Sequence, residues 1–220
     1  MLILDFSQAH FELESIQPQN EFEHSIVDFL TDWFSTSDVM IAHTSGSTGK
    51  PKEIILTKEN MRKSANMTGK YLQLKTGDSA LLAMPVTYIA GKLMLVRAVE
   101  IGLKLLCVQP TSSLDLNVIN TTLKSHFSSI DFVALTPMQV ENSIEFVSVC
   151  KKLIIGGAPL SDKVKQQLFP FENEVYETYA MTETITHIAF KQVQNKKYPE
   201  VINAFEAFEE VKISQDHRGC

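Results

Sequence analysis

With 220 residues, 44% hydrophobic and 21% charged, the chain has ordinary globular usage and material for one large domain or two small ones, which excludes a disordered tail and a coiled coil. Lys plus Arg is 20 against 26 for Asp plus Glu, a formal charge of -6 with a pI near 5.5, so non-specific binding to nucleic acid or to an anionic membrane is disfavoured. No apolar run approaches the ~20 residues that span a bilayer, and the start, Met-Leu-Ile-Leu-Asp-Phe, lacks a basic n-region and a long apolar core, so a cytoplasmic protein without membrane insertion is expected.

After a short apolar start, Phe22, Ile26, Phe29, Leu30 and Trp33 fall at helical spacing and predict one amphipathic helix over Glu21 to Phe34. Val39 to His43 reads as a strand, Thr44 to Lys52 as a polar loop and Ile54 to Leu56 as a second apolar run, which together make a hairpin. Thr57 is an N-cap for a helix carrying Met61, Ala65, Thr68 and Tyr71, closed near Gly77. Beyond it strand and helix alternate. Strands are expected at Ala80 to Met84, Lys104 to Val108, Phe132 to Leu135, Leu153 to Ile155 and Val175 to Tyr179. Helices are expected at Ala90 to Glu100, stopped by Gly102, at Leu114 to Phe127, after Pro137 and after Ser161. This alternation with short links is the pattern of βαβ units around a largely parallel sheet, an α/β fold whose ligands gather at the carboxyl ends of the strands. Gln192 to Gly219 is charged and weakly periodic, with one expected strand at Val211 to Ile213. Cys107, Cys150 and Cys220 lack metal-ligand spacing, and free thiols are expected.

The stretch richest in chemistry is Thr44-Ser45-Gly46-Ser47-Thr48-Gly49-Lys50-Pro51-Lys52. Two glycines let backbone N–H groups converge on an anion, hydroxyls add rotatable donors, and two lysines supply charge, a combination suited to triphosphate. It is not a Walker A loop. Its glycines are three apart, Pro51 follows the lysine, and a strand rather than a helix comes next. The competing interpretation is a flexible Gly/Ser/Thr turn on a hairpin; as a phosphate loop, Ser45 to Lys50 is expected to be mobile and to order only on nucleotide. A second stretch, Tyr179-Ala-Met-Thr182-Glu183, places a ring, a hydroxyl and a carboxylate at a strand end, where they suit a base, a phosphate and Mg2+. Gly156-Gly157-Ala158-Pro159, directly after a strand, lets a planar ligand approach the backbone.

These three motifs, in this order and spacing, resemble the acyl-adenylate-forming (AMP-binding) superfamily of acyl- and aryl-CoA ligases, luciferase and peptide-synthetase adenylation domains, over about Ile41 to Ala189. The resemblance implies the large N-terminal domain of such an enzyme. It also implies attack of a carboxylate on the α-phosphate of ATP, giving acyl-AMP and pyrophosphate, followed by a thioester with coenzyme A. ATP, Mg2+ and coenzyme A would then be bound together with an aryl carboxylic acid, and a homodimer stays open. The implied nucleotide set is Thr44, Ser45, Gly46, Ser47, Thr48, Gly49 and Lys50 on the phosphates, with Gly157, Ala158 and Tyr179 around adenine; Thr182 and Glu183 serve catalysis, Glu183 as the metal carboxylate. Within the superfamily, Thr182-Glu-Thr-Ile-Thr-His-Ile-Ala189 and the short lead before the phosphate loop are most similar to the o-succinylbenzoate:CoA ligases of menaquinone biosynthesis, which would put Tyr88, Gly91, Thr186 and His187 at the acid. Alternatives are a ligase for another aryl or fatty acid and a non-catalytic adenylate-binding module; a kinase lacks the required second metal carboxylate and base.

The sequence also departs from the family pattern. Glu53 and Ala180 stand where glycines are common, Tyr88 stands where many relatives carry histidine, and nothing after Ala189 resembles the ribose motif or the domain that carries the adenylating lysine. The expected organisation is therefore a lead over 1–36, an AMP-binding core over 37–190, and the cut start of a further subdomain over 191–220, with no C-terminal lysine domain and no turnover by this chain alone.

Overall fold

The computed structural model describes residues 1–43, 53–127 and 129–214. Local signals account for most helix ends. Asn20 accepts from the Glu23 amide to start α1 (Glu21–Phe34), and Thr57 accepts from Asn60 to start α2 (Lys58–Tyr71). Asp115 accepts from Asn117 and Val118 ahead of α4 (Leu116–His126), Thr136 and Gln139 form a capping box around Pro137 in α5 (Pro137–Asn142), and Ser161 caps α6 (Asp162–Leu168). The apolar helix α3 (Ile89–Ile101) stops at Gly102, which takes the left-handed conformation at φ 79°.

Eight strands form the main sheet: β1 (Leu2–Asp5), β4 (Ser79–Leu82), β5 (Lys104–Cys107), β6 (Ile130–Leu135), β7 (Cys150–Ile155), β8 (Glu174–Ala180), β9 (His187–Gln192) and β10 (Glu206–Ala207). Their order is β1-β5-β4-β6-β7-β8-β9-β10. The five inner strands β5, β4, β6, β7 and β8 run parallel, and β1, β9 and β10 pair antiparallel at the margins. The α/β expectation therefore holds, with antiparallel margins added. Successive residues of the inner strands feed two cores. Leu82, Leu105 and Phe132 face α1, α2 and α3, whereas Leu81, Leu106 and Val133 face α4, α5 and α6. From β4 the chain first crosses to β5 and then returns over β4 to β6, so the switch in strand order lies between β4 and β6. A crevice at the carboxyl ends follows from that topology.

A second, separate sheet pairs β2 (Val39–His43) with β3 (Glu53–Thr57) antiparallel, from Val39↔Thr57 to His43↔Glu53. The hairpin expectation is thus met on both flanks, and β3 rather than a helix follows. The loop itself, Thr44 to Lys52, lies outside the described residues, as does its expected mobility. One expected element is corrected: Val211 to Ile213 is not a strand, and the last strand is instead β10. Val211 packs half-buried on the core and its amide turns back to Phe208 O at 2.9 Å, while Ile213 is 74% exposed, so the segment follows a turn rather than a ladder.

Candidate functional site

Three of the segments singled out in the sequence leave the same end of the sheet, because β4, β7 and β8 are parallel members of one sheet. They are Pro85 to Gly91 after β4, Gly156 to Pro159 after β7, and Met181 to Ile185 after β8. The fourth, Thr44 to Lys50, lies outside the described residues, and its position is given only by the strands on either side.

The turn after β7 is shaped by its glycines. A Cβ on Gly156 would stand 2.4 Å from Thr178 Oγ1, so any larger residue at the exit of β7 would have to displace the Thr178 hydroxyl on β8. Gly157 adopts φ +94°, and a Cβ there would meet nothing within 4 Å, which leaves its backbone open to a flat partner. Tyr179, on the adjoining strand, is 48% exposed and carries the ring of Phe205 edge-on at 5.9 Å. Glu177 ties the two strands' ends together: its Oε1 accepts from the Leu160 amide at 3.1 Å, and its Oε2 lies 2.6 Å from Lys191 Nζ.

Past β8 the chain makes a turn bonded to itself. The Ile185 amide donates to Thr182 O at 2.9 Å, and the Thr184 hydroxyl accepts from the Met181 amide and donates to Thr186 O at 2.7 Å. Ile185 sits at φ 72°, a left-handed conformation that costs a β-branched residue ~1–3 kcal/mol and persists because these bonds dictate it. Thr182 is half-buried and Glu183 exposed. Among the described residues no group of three or more His, Cys, Asp or Glu gathers as a metal cage. A lone exposed carboxylate fits instead a magnesium ion that arrives on phosphate oxygens and takes one or two protein carboxylates.

Of the four residues expected at the acid, Tyr88 occupies the N-cap position of α3 without a side-chain cap bond and is 52% exposed. Gly91 is held by packing, since a Cβ there would fall 2.3 Å from Pro85 O. Thr186 and His187 are both buried, and they join a polar network that spans three elements. His187 Nε2 contacts Thr68 Oγ1 on α2 at 2.7 Å, while Arg97 on α3 donates from Nε to Thr68 Oγ1 and from Nη2 to Thr186 Oγ1, each at 3.3 Å. Phe190 and Phe208 pack on the imidazole, with ring centroids at 4.6 and 5.7 Å. Arg97 is 2% exposed and makes no ion pair among the described residues. Burial pulls its pKa down to about 9. Burial and the neighbouring guanidinium hold the His187 imidazole well below its usual value, so it is neutral at physiological pH.

Arg97, Thr68 and Glu177 were not legible as site residues from the sequence. The available signals were a cation inside the apolar run Leu93 to Ala98 and a carboxylate at the inward parity of a strand, between Val175 and Tyr179.

A family model described as AMP-binding enzyme matches residues 3–219. The chain belongs to the AMP-binding enzyme family. Its α/β sheet is that of the family's AMP-forming acyl-CoA synthetases: an acyl-CoA synthetase (AMP-forming)/AMP-acid ligase II-like protein from Dyadobacter fermentans superposes with TM-score 0.79 at 34% identity, over 94% of this chain and 59% of that one. Among curated members, the 2-succinylbenzoate–CoA ligase of Bacillus mycoides is 29% identical over 167 residues, covering 73% of this chain and 34% of that protein. This AMP-binding chain therefore spans about a third of the length of the curated relatives it matches. The o-succinylbenzoate coenzyme A synthetase of Bacillus subtilis in complex with ATP and magnesium ion shares the fold, with TM-score 0.66 at 21% identity over 82% of this chain and 38% of that one. Among the described residues no helix is long and apolar enough to cross a membrane.

Proposed function

We propose that this chain forms the nucleotide- and acid-binding part of an ATP-dependent CoA ligase acting on an aryl carboxylic acid, with o-succinylbenzoate the preferred acid. The observation that carries the nucleotide half is the open backbone of Gly157 beside exposed Tyr179 on the neighbouring strand, a slot for a planar base. In this reading Gly157, Ala158 and Tyr179 hold adenine, Thr44 to Lys50 hold the terminal phosphates, and Thr182 and Glu183 stand at the reacting phosphate and its magnesium ion. A magnesium ion held there by Glu183 would supply charge neutralisation at the phosphate oxygens. A carboxylate oxygen of the acid then attacks the α-phosphorus, pyrophosphate leaves, and acyl-AMP forms; the sulfur of coenzyme A, its thiol proton lost to solvent, next bonds the acyl carbon, with AMP as leaving group. The contribution of Tyr179 is stacking and that of Glu183 is charge, so neither residue needs to exchange a proton.

The preferred acid is argued from Arg97. A guanidinium buried without a carboxylate is costly, and two long bonds to threonine hydroxyls leave most of its five donors available. An acid with a second carboxylate supplies the missing counter-ion. The relatives named as 2-succinylbenzoate–CoA ligases support the same choice.

Calorimetric titration with MgATP and with AMP, followed by a panel of aryl mono- and dicarboxylic acids in the presence of MgATP, tests both halves. The expected result is nucleotide binding that Tyr179→Ala weakens about tenfold, and tighter binding of the dicarboxylic acids. Failure to bind either nucleotide would sink the nucleotide reading; equal affinity for mono- and dicarboxylic acids would sink the preference.

A further inference from the structure

The polar network of Thr68, Arg97, Thr186 and His187 is buried, so a carboxylate bound for Arg97 needs an opening. The elements around it differ in how firmly they are held. Helices α2 and α3, of 14 and 13 residues, pack on one another, and β9 pairs with β8 from Gln192 to His187. The remaining neighbour is slighter. Residues 205–211 run along the free edge of β9 as a strap whose regular structure is the two-residue strand β10, paired with β9 alone. Past the ladder, the Phe208 amide donates to Ile188 O at 3.0 Å.

Within the strap Phe208 is buried, whereas Phe205, Glu206, Ala207, Glu209 and Glu210 are exposed. The Phe208 ring packs on the His187 imidazole and also meets Phe190 and Tyr71, with centroids at 5.0 and 5.4 Å. His187 in turn contacts Thr68, whose hydroxyl oxygen accepts from Arg97. Phe208 therefore plugs a line of contacts that ends on the guanidinium. Outside it, Lys70 on α2 reaches Glu209 and Glu210 at 2.8 and 3.3 Å, and all three side chains are exposed, where water and salt leave such pairs little strength. A segment held by one ring, a two-residue ladder and surface ion pairs opens at lower cost than a helix or the middle of the sheet.

We propose that residues 205–211 are a releasable cover: Phe208 lifts off His187 to admit the second carboxylate of the acid toward Arg97, and closes again behind it. The passage of the acid rests on the dicarboxylate reading above; the cover itself rests on the contacts of Phe208 and the slight hold of the strap.

Ala207 lies directly opposite Ala189, next to the bonded Phe208 and Ile188, which makes it a close, non-bonded pair with Cα atoms about 4.5 Å apart, within reach of a disulfide. Ala189→Cys with Ala207→Cys, in a Cys220→Ser background, locks the strap when oxidised by glutathione disulfide and frees it in dithiothreitol. Lys70→Gln loosens the strap from the surface. Amide hydrogen exchange on the purified chain is expected to be faster at Phe208 than in β6 and β7, about two- to fivefold faster again in Lys70→Gln with β6 and β7 unchanged, and slowed in the oxidised pair. Stopped-flow binding of an aryl dicarboxylic acid in the presence of MgATP is expected to show association and dissociation both slowed about tenfold on oxidation, both restored by reductant, and the Kd unchanged. Damage to the site would change the Kd instead. Lys70→Gln should speed association by the same two- to fivefold. Association that neither the lock nor Lys70→Gln alters would overturn the passage, and a Phe208 amide that exchanges only together with β6 and β7 would overturn the cover. Wild-type protein that bound no dicarboxylic acid would sink the acid reading, and the exchange comparison would still decide whether the strap opens.

Discussion

Nε2 of His187 and Oγ1 of Thr68 lie 2.7 Å apart although 119 positions separate them in the chain. The Thr68 hydroxyl has one proton, and its bond to Ser64 O at 3.0 Å uses it. Its oxygen is thus left to accept, from Arg97 Nε and from His187. With the hydroxyl proton on Ser64 O, the tautomer that fits this contact is the one protonated on Nε2. A second proton would be brought next to a guanidinium in the interior, which explains why the ring stays neutral.

This gives a pH dependence with a definite sign. The folded pKa of His187 lies below its unfolded value of 6.5, so at mildly acidic pH the unfolded chain binds the extra proton. The stabilisation is complete above about pH 6.5 and is lost as pH falls toward the folded value. Urea unfolding at pH 7.5 and 5.5 should show a larger loss for wild type than for His187→Gln. Equal losses in the two proteins would assign the titration to another group.

Arg97→Met separates fold from recognition. Replacing a buried, unpaired cation by an apolar side chain of similar length is expected to leave unfolding free energy unchanged or raised by about 1 kcal/mol. Affinity for aryl dicarboxylic acids should fall about ten- to a hundredfold, with monocarboxylic acids unaffected. A variant that unfolded early and kept its acid preference would make Arg97 a purely structural residue.

The two glycines around the site predict opposite mechanical outcomes. At Gly91 a methyl group meets the fixed carbonyl of Pro85, so Gly91→Ala should cost about 1–3 kcal/mol by forcing α3 away from its entry turn. At Gly157 a methyl group meets no atom, and Gly157→Ala should cost only about 1–2 kcal/mol from its left-handed backbone, while covering the open face expected to take adenine. Denaturant midpoints and AMP titrations on both variants check this: Gly157→Ala should lose more AMP affinity than Gly91→Ala.

Cys107 and Cys150 are buried, and burial raises both thiol pKa values, that of Cys150 to about 12. Neither should react with a thiol reagent at pH 8 in the native protein, and both should react in urea. Rapid native labelling at either position, read by peptide mass spectrometry, would contradict the packing described.

What was legible in the sequence was local. Thr57 and Ser161 cap helices with their own nearby amides, so a short window contains the whole signal. β1 was missed for the opposite reason. Leu2 to Asp5 becomes a strand only through pairing with Cys107 to Lys104, about half the chain away. β9 is hidden because its first residues, His187 to Ala189, fall in the ligand motif, whereas its pairing runs back antiparallel along β8. The site divides similarly. Glycines and hydroxyls announce themselves by type and spacing, and the segments bearing Gly157, Tyr179 and Glu183 do reach one end of the sheet. The partners of Arg97 are Thr68 on α2 and Thr186 just ahead of β9, and no local pattern joins them.

The strand order also dictates a sequence of assembly. β4 and β5 are neighbours joined by one helix, so they can pair as soon as Cys107 has left the ribosome, and that is also the moment at which β1 first finds its partner. Until then the four N-terminal strand residues have no neighbour to bond. The opposite side of β4 stays an open edge until Phe132 and Val133 arrive. Pauses in translation between residues 108 and 131 would prolong that exposure, at the stage when a nascent parallel sheet is most prone to pair with the wrong chain.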